Sequence, residues 1–572
     1  MARCRQWLVN TKYHALAACA LVALGPCAPL ARGASCPVGM GEATVCIPAA
    51  DRLSGGMDRA PGVHDDARAG YAPGNIWQVD GRVWRAVSVA AGAARWEPVA
   101  TARPADALAG HAVFAGGTVR MVTGYVGPAV DVETLHAGQP VVTTIGIGAD
   151  GAFDHAALRA VLAGRDAGTF ATVLRVHDQS GHGHDLEATP GRHVVHIGEV
   201  QVAGNETLSW GEENGPGGFV IPASLRVPAD DFFFGTVGTY ASSNSGYAAY
   251  PVPVMLGSAV RGRVFKAFFG SYSLDGFAHI ADATSPDRRT DMVITNSPAA
   301  FDVHATRGGY GLDCANASAR LDSPIAPGQM NGGYIGFNAD GGPWFSQGRN
   351  TGQWSGLVIA DRAPDPAGLA AFQASAAAVG NYMPQLRATL VVIGDSRSEG
   401  FRLSDGRNWP YLMQQYGRYQ SYDFAVSGAT TRQMLGMVAA AEAVGQRTTG
   451  SRVAVIFGGY NDHLEFNHIP AEETVRNIAS MVRRLKKAGF TVALIDETNT
   501  SGAPRAALRA AVRAGTITPD IEIDPFAPDQ PLYNVENHTN WSNDDTHPSQ
   551  TGHAILASMV WRQVGARLLP AR

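Results

Sequence analysis

The sequence predicts a multi-domain protein in which β-rich and β-sandwich regions precede a three-layer α/β domain. Three observations carry that expectation. The chain has 572 residues, more than a single hydrophobic core organises. Residues 111–360 are rich in Gly, aromatic and β-branched residues, in short runs separated by turn residues, which is the pattern of a sandwich. From Ala388 onward, apolar strands alternate with amphipathic helices, which calls for a mostly parallel sheet covered on both faces. The expected boundaries are 1–34 for a leader, 35–110 for a small β-rich region, 111–385 for the sandwich and 386–572 for the α/β domain.

The leader is read from Arg3, Arg5 and Lys12, an apolar run from Ala15 to Leu24, and small residues around Ala31-Arg32-Gly33. Gly25 and Pro26 end the run well short of the ~20 residues of a membrane span. Export to the periplasm or the exterior, without stable membrane insertion after cleavage, is the expectation. Hydrophobic content of 45% and charged content of 17% are those of a soluble globular protein. A net charge of −5 excludes nucleic-acid binding driven by electrostatics. Cys4, Cys19 and Cys27 fall in the leader. In an oxidising compartment Cys36 and Cys46 suit a small bridged loop, which leaves Cys314 as a buried, inert thiol. No Cys/His spacing suggests zinc, and neither a metal nor a cofactor is expected.

In the β-rich region, Ile76–Val79 and Arg82–Val87 flank Asp80-Gly81, a two-residue hairpin signature. Trp77, Trp84 and Trp96 read as a small aromatic core, with a sugar-stacking face as the alternative. In the sandwich, strands are expected at Val142–Ile147, Ala171–Val176, Val194–Ile197 and Val264–Phe269, and a helix at Asp154–Leu162. Asp178, His182, His184 and Asp185 lie in a Gly-rich loop, where polar side chains bonding local backbone are favoured over a metal site. Asp361–Pro366 followed by an Ala-rich stretch predicts a helix of about a dozen residues.

The segments Tyr125-Val126-Gly127-Pro128-Ala129-Val130, Asp150-Gly151 and Val176-His177-Asp178-Gln179-Ser180-Gly181 resemble a concanavalin A-like sandwich. They are similar to the catalytic sandwich of fungal α-L-arabinofuranosidase B proteins and to bacterial lectin-like modules. The adjacent cysteine pair of those enzymes is absent, and no acidic nucleophile can be placed, so the resemblance implies a fold rather than a glycosidase.

The α/β domain carries four polar blocks in order. They are Gly394-Asp395-Ser396 after the apolar run Leu390–Ile393, then Ser427-Gly428, then Gly458-Gly459-Tyr460-Asn461-Asp462 after Val453–Phe457, and finally Asp544-Asp545-Thr546-His547 before the last helix. Polar turns at the carboxyl ends of strands are where open α/β sheets hold reactive groups. The ordered set, spanning residues 388–567, resembles the GDSL/SGNH hydrolases, which implies a flavodoxin-like α/β fold. The resemblance assigns Ser396 as nucleophile, His547 as base, and the Ser396 and Gly428 N–H groups with the Asn461 side-chain amide as oxyanion donors.

Physical chemistry fits these roles. A serine hydroxyl needs a base to become nucleophilic. Asp544, three residues before His547, can fix the imidazole tautomer and stabilise the imidazolium. Asn461 donates hydrogen bonds without carrying charge, and Gly428 allows close backbone approach. Asp545 is a rival to Asp544 as partner of His547. Arg397 departs from the apolar residue usual in the family, and either faces an anionic substrate or pairs with Glu399. Gly-x-Ser-x-Gly is absent from the sequence, which argues against an ordinary α/β-hydrolase.

The expected activity is that of an exported serine esterase that forms an acyl-enzyme and deacylates a carbohydrate, with a carbohydrate or acylated small molecule as substrate. The alternatives are a lipid or short-chain acyl esterase with an accessory domain, a carbohydrate-binding surface protein, and a bifunctional glycosidase/esterase.

Overall fold

The computed structural model of the protein describes residues 45–47, 76–79, 82–88, 90–99, 103–190, 195–210, 217–240, 254–258, 263–269, 277–282, 288–315, 317–336, 352–382, 388–403, 407–417, 419–448 and 450–568. The expected leader, and the Cys36 half of the Cys36–Cys46 bridge, lie outside them. Among the described residues, no helix is long and apolar enough to cross a membrane.

Strands Ile76–Val79 and Arg82–Ser88 form the expected hairpin, with Trp77 opposite Trp84, and Arg95–Val99 extends it to a three-stranded antiparallel meander. The region beyond is a two-layered antiparallel sandwich. One layer runs from Ala112–Gly117 through Gly352–Ala360, Phe232–Tyr240 and Ala299–Thr306 to Gly309–Cys314. The other runs from Gln139–Ile147 through Gly127–His136, Thr172–Val176, Leu186–Ala188 and Phe219–Pro228 to Gln329–Ile335 and Val254–Ser258. Phe114, Val130, Phe219, Phe234, Phe301 and Trp354 meet in the core between the layers.

The strand period of two decides which side chains enter that core. Phe232 and Phe234 face it, whereas Phe233 points the other way and packs on Phe372 of helix Pro366–Gly380. That helix begins with Pro366, and Asp365 caps it by accepting from the Gly368 N–H. Helix His155–Gly164 begins one residue later than the sequence suggests, because Asp154 is its cap and accepts from the Ala157 N–H. Cys314 is buried as expected, and burial pushes its thiol up to about 12.

Gln179 is structural rather than exposed for ligand. Its side chain accepts from the Met121 N–H and donates to the Val119 carbonyl. Asp178 accepts from the N–H groups of Ala115, Ser180, His182 and His184, so the loop uses its polar groups on local backbone as expected.

The C-terminal α/β domain has five parallel strands: β1 (Thr389–Gly394), β2 (Gln420–Asp423), β3 (Arg452–Phe457), β4 (Thr491–Ile495) and β5 (Ile521–Ile523). Its helices are α1 (Ser396–Glu399), α2 (Trp409–Met413), α3 (Thr431–Arg447), α4 (Ala471–Lys487), α5 (Ala503–Arg513) and α6 (Gln550–Leu568). The sheet order is β2-β1-β3-β4-β5, the flavodoxin-like order, so the chain reverses direction across the sheet at β1. Both faces of the sheet are covered. Val391 and Ile393 point towards α3 and α4, while Leu390 and Val392 point towards α2 and α6.

A sandwich segment covers the free edge of β2. The Asn296 N–H donates to the Ser421 carbonyl, Ser297 Oγ donates to the Tyr419 carbonyl, and Asn296 Oδ1 accepts from the Asp423 N–H. Phe277 and Val293 enter the core beside Tyr422 and Val444. The pairing saturates an edge that would otherwise template association.

Candidate active site

Each polar block sits at the carboxyl end of a strand or just before the last helix, and hydrogen bonds join the blocks. Ser396 is the first residue of α1, directly beyond β1 at the switch point of the sheet. Asp395 caps that turn, its Oδ1 accepting from the Arg397 N–H at 3.0 Å. Gly394 leaves no room for a side chain, since a Cβ there would lie 2.6 Å from Ser398 Oγ.

The imidazole of His547 lies between the two predicted partners. Its Nε2 is 2.8 Å from Ser396 Oγ, and its Nδ1 is 2.8 Å from Asp544 Oδ2. Asp544 is held by further donors: Ser542 Oγ at 2.6 Å, the Thr546 N–H at 3.1 Å and the His547 N–H at 3.0 Å. Burial alone would raise its pKa, but these hydrogen bonds and the His547 ring outweigh it and hold the carboxyl well below the usual range. Burial lowers the His547 pKa, and Asp544 opposes part of that shift. The imidazole is therefore neutral at pH 7 and can accept the Ser396 proton. The rivalry between the two aspartates is settled by geometry, because Asp545 Oδ1 binds His538 Nε2 at 2.8 Å instead.

Gly428 has φ +76°, the left-handed conformation that favours glycine. Asn461 lies beside it, its Nδ2 donating one hydrogen to the Ala429 carbonyl at 3.0 Å. The amide has a second hydrogen to offer. The Val426 N–H donates to the Gly394 carbonyl, and Tyr460 Oη lies 3.2 Å from Thr546 Oγ1. Ser396, His547 and Asp544 thus form one relay, and the 426–429 turn that carries Gly428 is bonded to Asn461 on one side and to the end of β1 on the other.

Arg397 is a correction to both readings of the sequence. It neither faces a substrate nor pairs with Glu399. Its side chain is 1% exposed and bridges Asp395 and Glu497, both fully buried. Glu399 instead accepts from the Ser427 N–H at 2.6 Å and from Ser427 Oγ. The physical reason is the helical geometry of α1: residues two apart do not face each other, and Arg397 meets Glu497, which follows β4, instead. Arg402 stands at the opening, its Nη1 3.3 Å from Asp544 Oδ2, and Phe401 lies against the His547 ring.

Residues 392–555 match the GDSL-like lipase/acylhydrolase family. This GDSL-like domain is a serine ester hydrolase. Solved structures similar to it include the psychrotrophic esterase EstA from Pseudoalteromonas sp., at 16% identity over 31% of this chain and 97% of that one, with a TM-score of 0.26. TesA is similar at 22% identity over 32% of this chain and 99% of that one, with a TM-score of 0.27. An arabinofuranosidase complexed with arabinofuranosyl-alpha-1,2-xylobiose is similar at 12% identity, over 49% of this chain and 66% of that one, with a TM-score of 0.33. Comparison of the sequence with curated proteins returned no match.

Sequence reasoning missed Glu497, Arg402 and the Glu399–Ser427 contact. Glu497 had a usable signal: a carboxylate two residues past an apolar strand, in the same position relative to β4 as Ser396 is to β1. The contact of Arg402 with Asp544 had none, since only the folded path of residues 400–403 brings the two together.

Proposed function

We propose that the protein is an exported esterase whose Ser396, His547 and Asp544 act as a catalytic triad and that its natural substrate is an acylated carbohydrate. The observation that carries the catalytic part is the continuous relay from Ser396 Oγ through both nitrogens of His547 to Asp544. Ser396 Oγ bonds to the ester carbonyl carbon as its proton passes to His547 Nε2. The resulting oxyanion is met by the N–H groups of Ser396 and Gly428 and by Asn461 Nδ2. Collapse of the tetrahedral intermediate breaks the C–O bond, and the departing alcohol takes the proton from His547. Water then gives a proton to His547 and attacks the acyl-enzyme, which releases the acid and restores Ser396.

The carbohydrate part rests on the sandwich motifs read in the sequence and on the bonded seam between the sandwich and the GDSL-like domain. The same reading places the domain boundaries near residues 34, 110 and 385. Release of acetate from acetylated xylan and glucomannan, set against hydrolysis of p-nitrophenyl acyl esters, tests the substrate class. Turnover of the aryl esters with no acetate released from polysaccharide would favour a short-chain acyl esterase with an accessory domain. Ester hydrolysis that survives Ser396→Ala would refute the triad.

A further inference from the structure

Arg397 makes four side-chain hydrogen bonds in a site closed to water. Nε and Nη2 donate to the two oxygens of Asp395 at 3.0 and 2.6 Å, and Nη1 and Nη2 donate to the two oxygens of Glu497 at 2.7 and 2.8 Å. The guanidinium face lies 4.2 Å from the centre of the Phe457 ring and 5.2 Å from that of Tyr460. Glu497 is itself fixed by Ser501 Oγ at 2.9 Å. Its Oε1 also accepts from the Tyr460 N–H at 3.0 Å, in the turn that carries Asn461. Gly459, at φ +132°, brings that backbone close: a Cβ there would lie 3.3 Å from Glu497 Oε1.

One carboxylate–guanidinium–carboxylate bridge therefore spans three strand ends. Asp395 belongs to the turn after β1 that presents Ser396, Glu497 follows β4, and the Tyr460 N–H belongs to the turn after β3. We infer that Arg397 and Glu497 are positioning residues that hold the Ser396 turn in register with the Asn461 turn, so that nucleophile and oxyanion donor address one carbonyl. The inference rests on the roles of Ser396 and Asn461 given under the proposed function.

Stability is a poor explanation for such a bridge. Burying three ions carries a desolvation penalty that their attraction repays only when the geometry is excellent, and apolar or neutral replacements of similar volume are often no less stable. What a doubly bidentate guanidinium supplies is direction: its planar fork fixes two carboxylates in distance and in angle. An ammonium is a point charge and fixes neither angle. Catalysis is sensitive to such register, since a displacement of about 1 Å can cost about 10²-fold in rate.

Two variants of the full chain separate positioning from structural support. Arg397→Lys keeps the charge and loses the fork. The triple variant Asp395→Asn, Arg397→Met, Glu497→Gln removes all three charges but keeps acceptors for the backbone N–H groups of positions 397 and 460. Ser396 is titrated with a fluorophosphonate, and kcat per titrated serine, KM and Tm are measured with p-nitrophenyl acetate. The expected result is a fall in kcat per titrated serine of about 10- to 10²-fold in Arg397→Lys with KM nearly unchanged, and at least as large a fall in the triple variant without a matching loss of Tm. A kcat per titrated serine within about threefold of the parent in Arg397→Lys overturns the inference, whatever happens to Tm. Ser396→Ala serves as the control. Turnover retained there overturns the triad and this inference together, whereas turnover lost there but kept per titrated serine in Arg397→Lys overturns this inference alone.

Discussion

Asn461→Ala is the sharpest single probe of the oxyanion site. The side-chain amide has two hydrogens, and one is already committed to the Ala429 carbonyl at 3.0 Å. That bond points the amide, and the second hydrogen is the one available to a developing oxyanion. Truncation removes one preorganised donor, which is worth about 10²–10³ in kcat, or about 2.7–4 kcal/mol of barrier. It also removes the hydrogen bond to Ala429, with a net cost to folding of about 0.5–1.5 kcal/mol. Because the donor matters most when charge has moved onto the carbonyl oxygen, KM should barely change. The assay is hydrolysis of p-nitrophenyl acetate per titrated serine, alongside the melting temperature. A kcat reduced by less than about threefold, in a variant that has lost the Ala429 bond, would refute a donor role for Asn461.

The relay, the core histidine and the seam each yield a further test. Burial lowers the His547 pKa below 6.5 despite Asp544, so the acid limb of kcat/KM should lie below pH 6.5; Asp544→Asn removes the opposing contribution, moves that limb lower still, and cuts kcat by up to about 10⁴-fold, as a pH–rate profile will show. His553 is fully buried, accepts from the Trp409 N–H at 3.1 Å, and has its pKa lowered by burial to about 3 from 6.5. Its contribution to stability is present above pH 6.5 and is lost as pH falls towards 3, so Tm should drop across that window and drop less in His553→Gln. Asn296→Ala leaves the buried Asp423 N–H without its Asn296 Oδ1 acceptor and should cost about 1–3 kcal/mol in chemical denaturation; an unchanged midpoint would show that the seam contributes nothing.

Much of the fold was legible because its signals are local. The apolar runs at Val453–Phe457 and Thr491–Ile495 lie within the strands β3 and β4, and the helical spacing of Val475, Ile478, Val482 and Leu485 falls within α4. Helix ends were legible where a capping side chain marks them, as Asp365 and Pro366 do. In the sandwich, strand Gln139–Ile147 begins three residues earlier than expected, since its first residues are exposed on the ladder and open with Gln139 and Pro140, which carry no apolar signal. Val194 lies outside the described residues, and the short strand there is Val195–His196.

The sequence by itself determined the order of the four polar blocks, and with it Ser396, Gly428, Asn461, Asp544 and His547 as the residues to watch. Each is marked by its own short neighbourhood: a turn after an apolar strand, or a carboxylate three residues before a histidine. Tertiary structure alone decided the partners of Arg397 and Glu399, the choice of His538 by Asp545, the place of Arg402 beside Asp544, and the capping of β2 by Thr295–Ser297. Those contacts join residues as far apart in the chain as Arg402 and Asp544, and their geometry is set by strand order and by helix packing rather than by any pattern along the chain. A buried charge must find an opposite charge, but which one it finds depends on where the sheet brings its strand ends together.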